Sequence, residues 1–527
     1  MSQFSRIDRS VKPASVDVPR TYNASCDFLD RHIVEGRGDR LAVIDDQGRY
    51  TYAELAERVN RAGNALASLG VRMEDRVLMC MLDTVDFPAM FWGAIRIGAV
   101  PIPVNTLLTS FDYDYMLRDS RARALVVSDA LYSVVQPVLA AQPHLESVVI
   151  SGEPHPGAMA LSRLMRDASE DLEPAPTLAD DVAFWLYTSG STGAPKGSMH
   201  LQSDFIHTAV LYGDGVLGIE SDDVVFSAAK LFFAYGLGNG MTFPMHVGAT
   251  AVLMAERPTP DAVMARLAEH RATIFYGVPT LYGGILADSS ITASRSSDRL
   301  RRCVSAGEAL PEGVARAWHE RFGTEILDGL GSTEMLHIFL SNRPGDIRHG
   351  TSGKAVPGYA LKLIDEDGAE VAQGEMGELC VNGPSSAVAY WNQREKSLNA
   401  FQGPWTRTGD KYLIDDDGYY QYCGRTDDML KVSGIWVSPF EVESALIEHA
   451  DVVEAAVVGQ PDENQLIKPK AYVILGAGIA GNAEKTEELQ AFVKSRLAPY
   501  KYPRWIEFVD DLPKTATGKI QRFKLRA

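Results

Sequence analysis

The chain has 527 residues, 46% of them apolar, which is more than one compact core uses and implies two or more domains. Its 69 Asp+Glu against 51 Lys+Arg give a net charge of -18, a balance that argues against nucleic-acid binding. Five scattered cysteines (Cys26, Cys80, Cys303, Cys380 and Cys423) form no CxxC pair, so they imply reduced thiols in a cytoplasmic protein rather than a disulfide frame or a zinc site.

Residues 1–13 (MSQFSRIDRSVKP) contain no apolar run of the kind a signal peptide needs. A strand is predicted over 41–45 and a helix over 51–69. Thr51 and Glu54 form a capping box there, Gly70 follows the last turn, and Leu55, Val59, Ala62, Leu66 and Leu69 fall on one face. The apolar stretch 77–104 holds Asp83, Asp86 and Arg96 and is interrupted by Pro88, Pro101 and Pro103, so it reads as buried strand and helix and not as a membrane span. Short apolar runs at 77–82, 124–127, 148–150, 249–254, 273–276 and 302–304 suit buried strands, and their alternation with helices predicts α/β layers. From about residue 427 the texture changes. A helix at 440–448, strands at 453–458 and 471–475, a glycine-rich turn at 476–481 and a helix at 487–497 predict a small α+β domain.

Residues 187–197 read YTSGSTGAPKG after a strand predicted at 182–186. Gly190, Gly193 and Gly197 let a backbone wrap closely, and the hydroxyls and N–H groups of such a flexible turn can surround phosphate oxygens while Lys196 neutralises charge. The spacing is not that of a Walker A loop, and a Gly/Ser/Thr cluster also suits an ordinary surface loop.

The motif resembles the signature of the adenylate-forming superfamily, which includes acyl-CoA synthetases, firefly-type luciferases and peptide-synthetase adenylation domains. Further segments follow in the family's order: LFFAYGLGNG (231–240), SAGEAL (305–310), DGLGSTE (328–334), GELCVNGPSSAVAYW (377–391), TRTGD (406–410), GRTDDMLKVSGIWVSP (424–439) and PKTATGKIQR (513–522). Within the superfamily, DGLGSTEMLHIF and FFAYGLGN look most like benzoate–CoA ligases. The resemblance implies a large multi-sheet N-terminal domain (1–426) that binds ATP and the acid, and a smaller mobile α+β C-terminal domain (427–527) hinged at Asp427.

The resemblance also implies roles for single residues. Thr188, Ser189, Gly190, Ser191, Thr192 and Lys196 would surround the phosphates. Thr333 would bond the α-phosphate and Glu334 would hold Mg2+, a hard cation that prefers oxygen ligands; Ser332 to Glu334 also suit a helix start. Gly307, Glu308 and Ala309, with Asp328, Gly329 and Leu330, would form the adenine slot, although many relatives place an aromatic where Leu330 stands. Asp410 would accept from the ribose hydroxyls, assisted by Arg425. Lys519 would bridge the acid's carboxylate and the α-phosphate as two anions meet. After adenylation the small domain would rotate about Asp427, and the loop 431–439 would replace the Lys519 loop and help form the thiol channel.

Phe233, Ala234, Tyr235, Gly331, His337 and Ile338 would make the acid pocket, with Ala234 and Gly331 small enough for a flat ring to slide between backbone walls. For Ile338 a plain core role is as good an explanation. His337 has no second His or Cys at ligand spacing and is not read as a metal ligand.

The expected reaction joins an aromatic acid, most naturally benzoate, to coenzyme A through an acyl-adenylate, with ATP and Mg2+, releasing AMP and pyrophosphate. The main alternative is an adenylation domain for an amino or aryl acid that loads a separate carrier protein. Relatives commonly form homodimers, although no surface here demands one. Related synthetases are controlled by a lysine acetyltransferase and a deacylase acting on the residue equivalent to Lys519. No nucleic-acid or membrane partner is expected.

Overall fold

The structure is a computed structural model that describes residues 4–190, 193–426, 428–432, 435–463, 466–498, 500–514 and 520–526. The helix Tyr52–Ser68 starts where local chemistry dictates: Thr51 Oγ1 accepts from the Glu54 N–H at 3.2 Å, and Glu54 Oε2 accepts from the Thr51 N–H at 2.7 Å. Gly70 follows with φ +82°, a value that suits glycine. Leu55, Val59, Ala62 and Leu66 then join the main core. The helix Asp86–Arg96 crosses so near that a Cβ on Gly93 would lie 2.8 Å from Gly63 N.

The strands that position the site are β1 (Val182–Gly190), β2 (Gly193–Leu201), β3 (Ile326–Gly331), β4 (Ile338–Ser341), β5 (Ala389–Tyr390), β6 (Trp405–Ile414) and β7 (Tyr420–Arg425). Among the described residues, β3 and β4 belong to a nine-stranded sheet in which β3 ends a run of parallel strands and β4 pairs with it antiparallel. A second, parallel sheet holds Val100–Pro103, Arg76–Cys80, Ala124–Ser128, Ser147–Ser151 and Met159–Ala160. Trp185 and Met199, on the β1–β2 hairpin, pack with the apolar side chains of that second sheet. The run 77–104 thus resolves into strand, helix and strand, all buried, and no helix among the described residues is long and apolar enough to cross a membrane.

The predicted phosphate turn differs in form. The strand does not stop at residue 186. It continues to Gly190 and returns from Gly193, with Tyr187 opposite Gly197 and Thr188 opposite Lys196. The glycines do not prevent pairing here, because β2 also pairs with β5 and packs Gly197 against Trp185, Tyr187 and Trp391.

Beyond β7, α1 (Pro439–Ile447) begins at Ser438, whose Oγ accepts from Glu441 N at 3.1 Å. It packs on a three-stranded sheet of Val452–Pro461, Ile467–Leu475 and Trp505–Phe508 together with the helix Ala483–Arg496, around a core separate from the main one.

Three buried imidazoles are kept neutral by this packing. Burial pushes His32 and His246 down to about 4 and His337 to about 3, from an ordinary value near 6.5. The unfolded chain therefore binds more protons than the folded one below pH 6.5, so stability falls as pH drops from 6.5 towards 4 and is fully present above 6.5. At pH 5.5 each histidine costs about 1 kcal/mol. Thermal unfolding should show a midpoint several degrees lower at pH 5.5 than at pH 7.5; equal midpoints would contradict the burial of these rings in neutral form.

Candidate active site

The turn from Ser332 to Leu336, between β3 and β4, carries Thr333 and Glu334. It does not continue as a helix. Ser332 Oγ accepts from Met335 N at 3.2 Å, Thr333 O accepts from Leu336 N at 3.2 Å, and Leu336 then adopts φ +66°. A non-glycine residue in that region is held there by its surroundings. The surroundings are the carbonyl contacts of the turn: Thr333 O faces His200 Nε2 at 2.7 Å, Glu334 O accepts from Ala387 N at 2.7 Å, and Met335 O accepts from Ser385 Oγ at 2.8 Å.

The Glu334 side chain is half-buried, and its Oε1 accepts from Tyr390 OH at 2.7 Å. The Lys196 ammonium sits 4.1 Å from the centre of the same tyrosine ring. Burial lowers the Lys196 pKa, and the Glu334 carboxylate opposes that shift. Among the described residues no hydrogen-bond donor engages Glu334 Oε2, and a half-buried carboxylate of this kind suits a hard divalent cation.

Asp410 on β6 lies directly opposite Arg425 on β7, and Arg425 Nη1 donates to Asp410 Oδ1 at 3.1 Å and to Thr408 O at 3.1 Å. The Asp410 carboxylate raises the Arg425 pKa above its ordinary range against the cost of burial, and Glu334 adds to the effect. Gly409, φ +73°, has to be small here, since a Cβ would come within 2.9 Å of Arg425 Nη2. Lys196, Glu334, Asp410 and Arg425 therefore form one electrostatically connected group, drawn from β1–β2, the 332–336 turn and the β6–β7 pair.

The proposed adenine residues also meet. Gly307, Glu308 and Ala309 follow the strand Arg302–Ser305, which is parallel to β3 and pairs Ser305 with Asp328. Burial raises the Asp328 pKa well above the carboxylate range, the N–H groups of Leu310 and Gly329 pull the other way, and Oδ1 has no hydrogen-bond partner among the described residues. A buried acceptor of this kind fits an amino group such as that of adenine. Leu330 packs against the main core, and Gly329 sits against Ile338 across the β3–β4 pair.

Phe233, Ala234 and Tyr235 open a short helix, Ala234–Leu237, and Tyr235 OH donates to Val304 O at 3.1 Å and Gly277 O at 3.2 Å. His337 is buried, and its Nε2–H donates to Asn239 Oδ1 at 3.1 Å and Tyr235 O at 3.2 Å. It is ringed by Tyr212, Tyr235 and Phe243. Gly331 is required to be small by the backbone as well: a Cβ there would lie 2.7 Å from the backbone C and O of His337, because β3 and β4 close at that pair. Ile338 is 2% exposed and sits in the main core.

Ser191, Thr192, Asp427 and Lys519 lie outside the described residues, and for Ser189 and Gly190 only the strand assignment is described. Among the described neighbours of Lys519, Lys514 bridges Ile520, and Gln521 N donates to Pro513 O at 2.7 Å. Arg522 then binds Glu443 of α1 at 2.6 Å and Asp428 at 3.6 Å, and its charge also acts on Tyr422 of β7. Sequence reasoning missed Tyr390, His200 and Asp204. Tyr390 lies within a quoted motif, but nothing in that motif indicated a partner for its hydroxyl.

Residues 30–391 match the AMP-binding enzyme family and residues 441–519 match the AMP-binding enzyme C-terminal domain. The chain is 61% identical to a benzoate–CoA ligase of Thauera aromatica, with 100% of each chain covered. A solved benzoate CoA ligase from Burkholderia xenovorans LB400 is 52% identical with a TM-score of 0.90, covering 96% of this chain and 100% of that one. An anthranilate CoA ligase solved with anthranoyl-AMP is 43% identical with a TM-score of 0.93, covering 96% and 97%. The motif series, the two-part fold and these likenesses agree, and the chain belongs to the AMP-binding enzyme family.

Proposed function

We propose that the protein is an ATP-dependent benzoate–CoA ligase. The observation that carries the reading is the convergence of Lys196, Glu334, Asp410 and Arg425 on one group, with Thr333 on the same turn as Glu334. In the first step a benzoate oxygen attacks the α-phosphorus of ATP and pyrophosphate leaves. In the second, the CoA thiol attacks the acyl carbon and AMP leaves with the bonding electrons. Thr333 binds the α-phosphate, Lys196 and the β1–β2 hairpin bind the outgoing phosphates, and Asp410 takes the ribose hydroxyls while Arg425 fixes its carboxylate. Asp328 and the segment 307–309 receive adenine. Glu334 would hold Mg2+, which neutralises phosphate charge when bound.

The acid pocket reading rests on Phe233, Ala234, Tyr235, Gly331, His337 and Ile338. His337 stays uncharged because burial holds its pKa near 3, so the pocket offers no cation that would seize the carboxylate deep inside and reverse the substrate. The five free, buried cysteines support a reducing compartment, the cytoplasm. Acetylation of Lys519 removes its charge and would stop adenylation, so a lysine acetyltransferase and a deacylase are the regulatory partners this reading implies.

The division at Asp427, with 1–426 holding both substrates and 427–527 rotating between steps, makes a sharp prediction. Lys519→Ala should slow benzoyl-AMP formation by about 100-fold or more, each 1.36 kcal/mol being tenfold. The same variant should make thioester from supplied benzoyl-AMP at a near-normal rate. Asp427→Pro should do the reverse, because proline restricts φ at the hinge. Equal losses in both steps by a well-folded Lys519→Ala protein would contradict the rotation. For substrate choice, kcat/KM for benzoate should exceed that for decanoate by at least 100-fold; comparable values would remove the pocket assignment.

A further inference from the structure

β2 presents more than Lys196 to the turn. Side chains alternate along a strand, and the β1–β2 register is regular from Thr188–Lys196 to Phe184–His200, so Lys196 and His200 stand on one face. Lys196 reaches the Tyr390–Glu334 pair. His200 reaches the backbone of the residue before Glu334: its Nε2 lies 2.7 Å from Thr333 O. On its other side Nδ1 lies 2.8 Å from Asp204 Oδ2, which also accepts from Leu201 N at 3.0 Å. His200 and Asp204 are 0% and 1% exposed, and the Phe184 ring stacks on the imidazole at 5.2 Å.

We propose that His200, oriented by Asp204, is a positioning residue that fixes the Thr333 backbone and so aims its side chain at the nucleotide's α-phosphate. The proposal rests on the phosphate role of Thr333 given above. Asp204 fixes the ring through Nδ1, and the ring spends its Nε2–H on the Thr333 carbonyl, which ties the backbone that carries the Thr333 side chain to β2. A histidine that only filled space would need neither contact, because Phe184 already packs one face of the ring.

The test compares AMP with adenosine by isothermal titration calorimetry on the full-length protein without metal. The two ligands share adenine and ribose, so the ratio of their Kd values isolates the phosphate contact, and adenosine affinity reports an intact nucleotide site. His200→Leu should narrow the AMP-over-adenosine ratio at least fivefold while adenosine Kd stays within twofold. His200→Gln places an amide N–H where Nε2–H stood and should keep the ratio within twofold of the parent. Thr333→Val should narrow it as His200→Leu does. If Thr333→Val leaves the ratio unchanged, the phosphate role of Thr333 falls, and this inference with it. If Thr333→Val narrows the ratio but His200→Leu does not, or if the Leu and Gln variants narrow it equally, the positioning role alone is overturned. Loss of adenosine binding along with AMP binding in both His200 variants assigns His200 to the fold and also overturns it.

Discussion

The turn from Ser332 to Leu336 must show two side chains to one opening while its backbone is buried behind them. Three successive carbonyls, from Thr333, Glu334 and Met335, are each engaged by a different part of the chain: His200 on β2, Ala387 N and Ser385 Oγ. An unmet buried carbonyl costs about 1–3 kcal/mol, which is what loss of the brace on Glu334 O or Met335 O would leave, whereas Thr333 O without His200 keeps Leu336 N. The left-handed Leu336, 3% exposed, is the point where the backbone strain of this arrangement is absorbed. The β1–β2 hairpin, the β3–β4 pair and the segment before β5 have to be correctly placed together before Thr333 and Glu334 are.

The same placement resolves an apparent conflict of charge. A protein of net charge -18 is proposed to bind a polyphosphate, a carboxylate and coenzyme A, all anionic. The cations are local. Lys196 lies over Tyr390, Arg425 is tied to Asp410, and Arg522 is tied to Glu443 and Asp428 beside β7. Each is held in a partly buried position where screening by salt is weaker than on the surface.

Features encoded by neighbours in sequence were legible before the structure. The Thr51–Glu54 box, Gly70 and the apolar face of the first long helix stand as predicted, within a residue at each end. The buried strands match their apolar runs to within a few residues, and the family resemblance agrees with the matched family regions. What escaped was encoded across distance. Tyr390 meets Glu334 over 56 positions and His200 meets Thr333 over 133, and neither pair has a spacing that a linear reading would single out. The hairpin form of the phosphate segment escaped for a related reason: glycine-rich composition indicates a turn, and only the partner strand β5 and the tryptophans around Gly197 make it a sheet. Gly331 shows the converse case, a small residue for which the backbone approach of β4 supplies a reason that the linear sequence does not contain.

The account turns on attack by the acid at the α-phosphorus of ATP, where Thr333, Lys196 and Lys519 are proposed to act. The direct measurement uses benzoate labelled with 18O in both carboxylate oxygens in a single turnover with ATP and CoA, followed by mass spectrometry of the nucleotide and phosphate products. The account predicts one 18O atom in AMP and none in pyrophosphate. Label in a phosphate or pyrophosphate product, with unlabelled nucleotide, would place the attack at another phosphorus and contradict it.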